Sequence, residues 1–472
     1  MQLTPRLIVR ATKFVALLCV SFFVGSLPAH AQRGNQSLLV ETGTQLSVLP
    51  NGLRLIVKEQ HVTHLVTVDV WVKAGAGKEL RRELGAAHYM EHMLFKGTAK
   101  RKPGEIDAAI EDLGATLSAG TNYDAAHFYT TVDTKFTSQA LEVLSDALQN
   151  SVLDQTEMDH ERSVILDEIV RAQNDFRKQA RNQLFEQLFP DQPFGRPVLG
   201  SSDSIRNLTR DTLQKFYEKW YAPNNTTIVV VGDINLKEAD RLVRDQFSTW
   251  AKRDLPAATA TEPTSATLLP QPAPQPSDAR LIGFPLGIRE DITAAAAAKC
   301  LAMLLGGARY GKIADGVKSV FTQPEEDPLP KKTLTGKPVI LQASLDLVEV
   351  DVDFMTNGGA FSILTVAPAT SMNAVQQGVV SALRKLQKTP VTSQELEAVK
   401  RQAIGKLLFA SETGGGQAYS LGEWDARGDF SRSEKLLDAI TKLKPKDVLT
   451  LADRLFEPAR TVVTDFVGRV AR

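Results

Sequence analysis

"LTRDTLQKFYEKWYAPNNTTIVVVGDI", residues 208–234, reads as a polar start, an amphipathic helix, an aromatic-x-Pro break at Tyr221 and Pro223, and a β-branched strand. The same order returns near the far end of the chain in "LKPKDVLTLADRLFEPARTVVTDFVGRV", residues 443–470, with the break at Phe456 and Pro458. A second pair precedes these: "LDQTEMDHERSVILDEIV" (153–170) and "VTSQELEAVKRQAIGKLL" (391–408) are both capped, charged helices. Two matches in the same order mark an internal duplication, two α+β domains of one ancestry. At 472 residues the chain exceeds what one hydrophobic core usually organises, which agrees.

Residues 254–278, with six prolines among Ala, Thr and Ser and no periodicity, read as a semi-extended linker between the halves. In the first half, "LRLIVKEQ" and "LVTVDVWVKA" alternate as half-buried strands do, and "ATLSAGTNY" and "HFYTTVD" supply two more; the helices follow. Strand runs followed by helix runs predict sheets with helices packed on one face, not a doubly wound parallel sheet.

Residues 1–31 stand apart. Arg6, Arg10 and Lys13 precede the apolar run "FVALLCVSFFVGSL", and Ala29–Ala31 offers small residues for cleavage, the outline of a signal peptide. The run is short for a membrane span and no second one follows, so the expectation is an exported protein, periplasmic or secreted, with no integral span after processing. Lipidation at Cys19 is the alternative, and Leu18 stands where a lipid-attachment site wants a small residue. Without the leader, 52 basic residues face 55 acidic ones, which gives no general field to attract nucleic acid. Cys300 is then the one remaining cysteine, so no intrachain disulfide forms and core burial must supply stability. The domains are expected at 32–253 and 279–472.

"GAAHYMEHMLF", residues 85–95, carries the chemistry. On a helix, His88 and His92 lie about 40° apart and can address one ion, with Glu91 on the neighbouring edge. Two imidazoles suit Zn²⁺, and a carboxylate that does not ligate can take a proton from zinc-activated water, whose pKa falls toward about 7. A third ligand is needed. Glu168 sits in "HERSVILDEIV" seven residues after Glu161, on a helix face that also carries Val164, Ile165 and Ala172, where an uncompensated charge would be costly. Glu168 is therefore the candidate ligand and Glu161 the carboxylate that orients a histidine. All seven histidines lie at or before His160, and the position matching Glu168 in the second half is Lys406, so one Zn²⁺ per chain is expected.

These residues, together with "FGRPVLGSSDSI" and "FYEKWYAPNNTTIVVVGDI", resemble the pitrilysin or insulinase family of inverted-motif zinc peptidases, closely in the first half and more weakly in the second. The resemblance implies His88, His92 and Glu168 as ligands, Glu91 as general base and Glu161 as supporting carboxylate. It implies a clamshell of two homologous domains in which a peptide adds as a strand to the edge "TLSAGTNYD", with Ser118, Ala119, Gly120 and Thr121 as the substrate-binding residues. Relatives carry Asn where Ser118 stands. Active relatives also supply an Arg and a Tyr, seven residues apart, after a stretch like "LAMLLGGARYGKIADGVK", and the following "SVFTQPEEDPLPKK" holds no such pair. The expectation is an exported zinc endopeptidase whose Arg and Tyr come from a homologous second subunit. The alternative is a non-catalytic subunit or scaffold of the same fold.

Two further features are read as structural. Gly414–Gly416 and "TNGGAF" lack the Lys-Ser or Lys-Thr of a phosphate loop and are taken as loops. His127 could approach the metal helix from a neighbouring strand, although a histidine on a sheet face is more often structural.

Overall fold

The computed structural model describes residues 43–322 and 345–466, apart from 191, 257–277, 288–290, 308–310 and 357. The leader and almost all of the 254–278 linker lie outside the described residues. The sheets and helices all belong to one compact unit, Glu41–Arg472.

The first half builds a six-stranded sheet from β1 (Thr44–Val48), β2 (Arg54–Glu59), β3 (Leu65–Val72), β4 (Ser118–Thr121), β5 (Ala126–Asp133) and β6 (Thr226–Gly232). Its order is β1-β2-β6-β3-β5-β4, with β2 and β6 parallel and the other pairs antiparallel. Period-two alternation explains the packing: Val66, Val68, Val70 and Val72 of β3 join the main core, whereas Trp71 points to the far face. The helices are α1 (Ala86–Met93), α2 (Glu105–Glu111), α3 (Thr137–Asn150), α4 (Gln155–Asn174), α5 (Phe176–Leu188), α6 (Ser202–Asn207), α7 (Arg210–Trp220) and α8 (Leu236–Phe247). Phe216, Tyr217, Trp220 and Tyr221, at and just beyond the end of α7, are all buried in the main core.

The second half repeats the plan with β7 (Ala279–Leu286), β8 (Leu347–Met355), β9 (Gly358–Val366) and β10 (Val462–Phe466) in an antiparallel sheet ordered β10-β7-β9-β8. That is the order and sense of β6-β3-β5-β4. Its helices are α9 (Ile292–Gly306), α10 (Lys312–Thr322), α11 (Met372–Lys388), α12 (Ser393–Ala410), α13 (Gly414–Ala426), α14 (Arg432–Lys442) and α15 (Pro445–Leu455). Among the described residues, two helices separate the first and second of these four strands in each half and five separate the last two, so α4 and α5 correspond to α12 and α13.

The helices of each half that pack on its own sheet do so on one face, as expected, and the far face is covered from the other half. The far face of the first sheet is apolar at Ile56, Trp71, Val229 and Val231, and α13 of the second half buries it through Ala418 and Leu421. Reciprocally, Leu184 and Phe185 of α5 pack on Leu281 and Leu364 of the second sheet. Gly414–Gly416 are accordingly no loop but the first turn of α13, capped by the Thr413 hydroxyl, which accepts from the Gly416 N–H. Helix and sheet lie too close for a larger residue at one point: a Cβ on Gly422 would stand 2.0 Å from the Trp71 Nε1. Gly358 and Gly359 of "TNGGAF" likewise belong to β9.

Asp425 of α13 is fully buried against the first sheet, where Arg54 (2.7 Å), Lys73 (3.2 Å) and the Thr227 hydroxyl (2.6 Å) all meet its carboxylate. Burial alone would raise its pKa, but these partners hold it below the ordinary carboxylate value. A depressed pKa stabilises the fold above the unfolded value near 3.9 and loses that contribution as pH falls through the folded value. Asp425→Ala should lower stability in urea at pH 7 by about 3 kcal/mol, since it leaves two cations facing an empty site. The gap between variant and parent should close as pH falls below about 4.

Candidate metal centre

Helix α1 begins without the usual cap. Its N-cap is Gly85 at φ 89°, a left-handed conformation, and a Cβ there would stand 2.6 Å from the Ile205 Cδ1, so only glycine fits. The orphan donors of the first turn are met from outside: the Glu79 carboxylate accepts from the Gly85 N–H (3.0 Å) and the Ala87 N–H (2.8 Å). Burial pushes the Glu79 carboxyl up to about 8, opposed by those two hydrogen bonds and by Arg196. Sequence reading passes over Glu79. The signal is there in the missing Ser, Thr, Asp or Asn before Ala86.

Helix α4 faces α1, and Asp154 caps it through the N–H groups of Thr156 and Glu157. Its buried residues Met158, Glu161, Ile165 and Ile169 follow the three-and-four spacing, while Val164, expected on the same face, is exposed. Tyr89 ties the two helices by donating to the Met158 carbonyl. The packing brings Glu168 to the paired histidines, with its Oε2 3.5 Å from the His88 Nε2 and 3.7 Å from the His92 Nε2. One ligand atom from each of the three lies within 4.8 Å of the others.

Do these residues fit a zinc ion? Metal–ligand bonds of about 2.0–2.1 Å put two ligand atoms about 3.3 Å apart across a tetrahedral edge, close to both separations. Burial, and secondarily His92, pushes the His88 pKa down to about 3, so its imidazole is neutral, as a ligand must be. A neutral His88 makes no salt bridge with Glu168, and its buried Nδ1 has no hydrogen-bond partner among the described residues. The opposite nitrogen of His92, Nδ1, is 2.8 Å from the Glu161 Oε2, and Lys96 holds the other Glu161 oxygen at 2.9 Å. Burial works to raise Glu161, but those two partners keep it below the usual range, an ionised acceptor that fixes the ring of His92.

Glu91 stands beside this triad and joins it to the sheet. The Thr121 hydroxyl of β4 donates to its Oε2 at 2.6 Å, and burial raises the carboxyl's pKa against that bond. β4 is the outermost strand, paired on one side to β5, and all four of its residues are half-buried. Ala119 and Thr121 face the helices, whereas Ser118 and Gly120 alternate to the far face. His127 lies on that far face: its Nδ1 meets the buried Asp69 at 3.1 Å and its ring stacks on Trp71 at 4.3 Å, so it does not join the histidine pair. Most of "SVFTQPEEDPLPKK", where active relatives carry the Arg–Tyr pair, lies outside the described residues.

Comparison with known proteins places these observations. The family model "Insulinase (Peptidase family M16)" matches residues 54–202, and "Peptidase M16 inactive domain" matches residues 207–403. The beta subunit of the mitochondrial-processing peptidase of Lentinula edodes is 33% identical over 229 residues, 47% of this chain and 48% of that protein. An uncharacterized zinc protease of Streptomyces coelicolor is 32% identical over 217 residues, 46% of this chain and 47% of that protein. The matches thus span about half the length of these relatives. A protease of known structure from Helicobacter pylori superposes with a TM-score of 0.77 at 21% identity, covering 89% of this chain and 98% of that one. The fold is therefore the two-domain α+β clamshell fold of M16 peptidases.

Glu79→Ala should lower stability by about 1–3 kcal/mol in thermal or urea denaturation, because it removes both capping bonds of α1 and empties a buried site.

Proposed function

The chain belongs to the insulinase (M16) family of peptidases, and from that premise we propose that it is an exported zinc endopeptidase subunit acting on peptides or unfolded segments. The observation that carries this reading is the Thr121–Glu91 hydrogen bond, which puts a carboxylate between a cluster fit for zinc and an open strand edge. His88, His92 and Glu168 would hold one Zn²⁺ per chain. When bound there, it would supply a Lewis acid that lowers the pKa of water and polarises a carbonyl. A substrate strand would add to the free edge of β4, so that main-chain hydrogen bonds hold it regardless of sequence. Thr121 fixes one oxygen of Glu91, and the other has no hydrogen-bond partner among the described residues. Glu91 would take the proton of the attacking water there and return it to the leaving amine nitrogen. Glu161 would act only through His92, as a positioning residue.

Among the described residues no helix is long and apolar enough to cross a membrane. Export rests on the basic and apolar pattern of residues 1–31. One feature of the relatives favours a partner: the Lentinula protein is by name one subunit of a processing peptidase. The Arg–Tyr pair absent from this sequence would then come from a homologous second chain. The second reading, a peptide-binding scaffold that cleaves nothing, is favoured by that same absence and opposed by Glu91, since a structural zinc needs no such carboxylate beside an open position.

Glu91→Gln should cut hydrolysis of a quenched peptide library by about 10³-fold or more and leave zinc stoichiometric by elemental analysis. His88→Ala and Glu168→Ala should lose the metal. Cleavage by the Glu91→Gln protein would remove the base from Glu91. Stoichiometric zinc with no cleavage, alone or mixed with a sister chain, would establish the scaffold.

A further inference from the structure

The far face of β5 holds a polar group that the proposed reaction does not use. His127 is nine-tenths buried, stacked between Trp71 (4.3 Å) and Tyr129 (5.5 Å), with Tyr419 of α13 edge-on at 5.3 Å. Its Nδ1 is taken by Asp69, but among the described residues no hydrogen-bond partner reaches Nε2. That nitrogen leans over the edge strand: a Cβ on Gly120, the residue paired with His127, would stand 2.9 Å from it. Gly120 is in ordinary strand conformation, so the glycine serves the close approach, not the backbone.

Residues paired across neighbouring strands share a face. A strand added to β4 would therefore put the side chain opposite Gly120 on the same face as His127. Gly120 presents no side chain to separate the two. The next position, opposite Thr121, faces Glu91, so the residue in question lies beside the bond to be cut.

Resting on the reading of β4 as the substrate edge, we propose that His127, oriented by Asp69, floors a side-chain subsite that selects an oxygen acceptor, the carboxamide or carboxylate of Asn, Asp, Gln or Glu, next to the scissile bond. The polarity follows from charge burial. Asp69 is wholly enclosed, and that burial raises its carboxyl pKa. A carboxyl that keeps its proton donates to Nδ1, which leaves the ring hydrogen on Nε2 as a donor.

The experiment is peptide binding, read by fluorescence anisotropy on full-length Glu91→Gln protein so that nothing is cleaved. The probes are labelled host peptides of Ala and Leu in which a single Asn moves along the sequence. We expect one position at which Asn improves affinity about tenfold. His127→Phe keeps the ring stack and removes the donor; Gly120→Ala leaves the donor in place and crowds it, with a Cβ 2.9 Å from Nε2. Each should reduce that preference, read as the ratio of Asn-containing to all-apolar host affinity within the same variant, to within about twofold. Should His127→Phe not fold because Asp69 loses its partner, Gly120→Ala decides alone. Binding with no preference for Asn at any position, or a preference that survives Gly120→Ala, overturns the role of His127 and leaves the edge reading standing. No binding of any peptide overturns the edge reading and this inference with it.

Discussion

The His92 imidazole is addressed at both nitrogens by carboxylates of one helix. Glu161 and Glu168 are separated by two turns of α4, so as α4 crosses α1 one carboxylate arrives behind the ring and the other in front. The rest of the centre depends on that crossing. Shifting α4 by one residue would bring a different face to the histidines, and neither carboxylate would remain in reach. The fold secures the crossing with groups outside the chemistry: Tyr89 donating to the Met158 carbonyl, Asp154 capping α4, and Glu79 capping α1 from a distance. The two caps place ionisable groups at helix N-termini, where the helix dipole favours an anion.

The duplication shows which parts of this plan are for chemistry and which for architecture. Both halves keep the four-strand order, the two intervening helices and the five that come after. Among the described residues, the loss of the candidate ligand positions in the second half is confined to two elements. Helix α9, in the place of α1, is "ITAAAAAKCLAMLLG", nine of whose residues are buried. In α12, Lys406 stands where α4 has Glu168. An alanine-rich helix packs tightly and carries no ligand, so the architecture survived where the metal set is absent. What each half retains is the helix it lends to the other, α5 in one direction and α13 in the other.

Much of the fold and of the metal set is legible in the sequence, for identifiable reasons. Period-two alternation marks β2, β3, β5 and β6, and the repeated helix-break-strand marks α7 with β6 and α15 with β10. The metal set is legible because His88, His92 and Glu91 lie within one helix turn, and because Glu168 sits beside an apolar stripe where charge needs a reason. Three features are not legible. Gly414–Gly416 reads as a loop by composition, since nothing local says that a sheet face some 340 residues earlier in the chain needs a helix with no side chains in its way. Val164 is exposed although it lies three residues after Glu161 and four before Glu168, because spacing says which residues share a helix face and not how much of that face a partner covers. The far-face position of His127 follows from strand register, which alternation in β5 alone leaves ambiguous by one residue.

The second half is more than a lid without a metal. Asp124, in the turn that leads from β4 to β5, accepts from the Thr356 backbone N–H at 3.0 Å and from the Arg427 guanidinium at 3.1 Å. Both donors belong to the second half, one in the β8–β9 hairpin and the other at the end of α13, and Asp124 and Arg427 are each largely buried. An outermost strand of four residues has few hydrogen bonds of its own, and an unpaired edge tends to fray. Here the turn at its end is clamped by the other half, on the helix that Asp425 pins to the first sheet. The position of β4, and through Thr121 the orientation of Glu91, is therefore set jointly by both halves. A duplicated half without the candidate ligand set still has a reason to be kept, because it supplies the rigid side of the edge on which the Glu91 carboxylate leans.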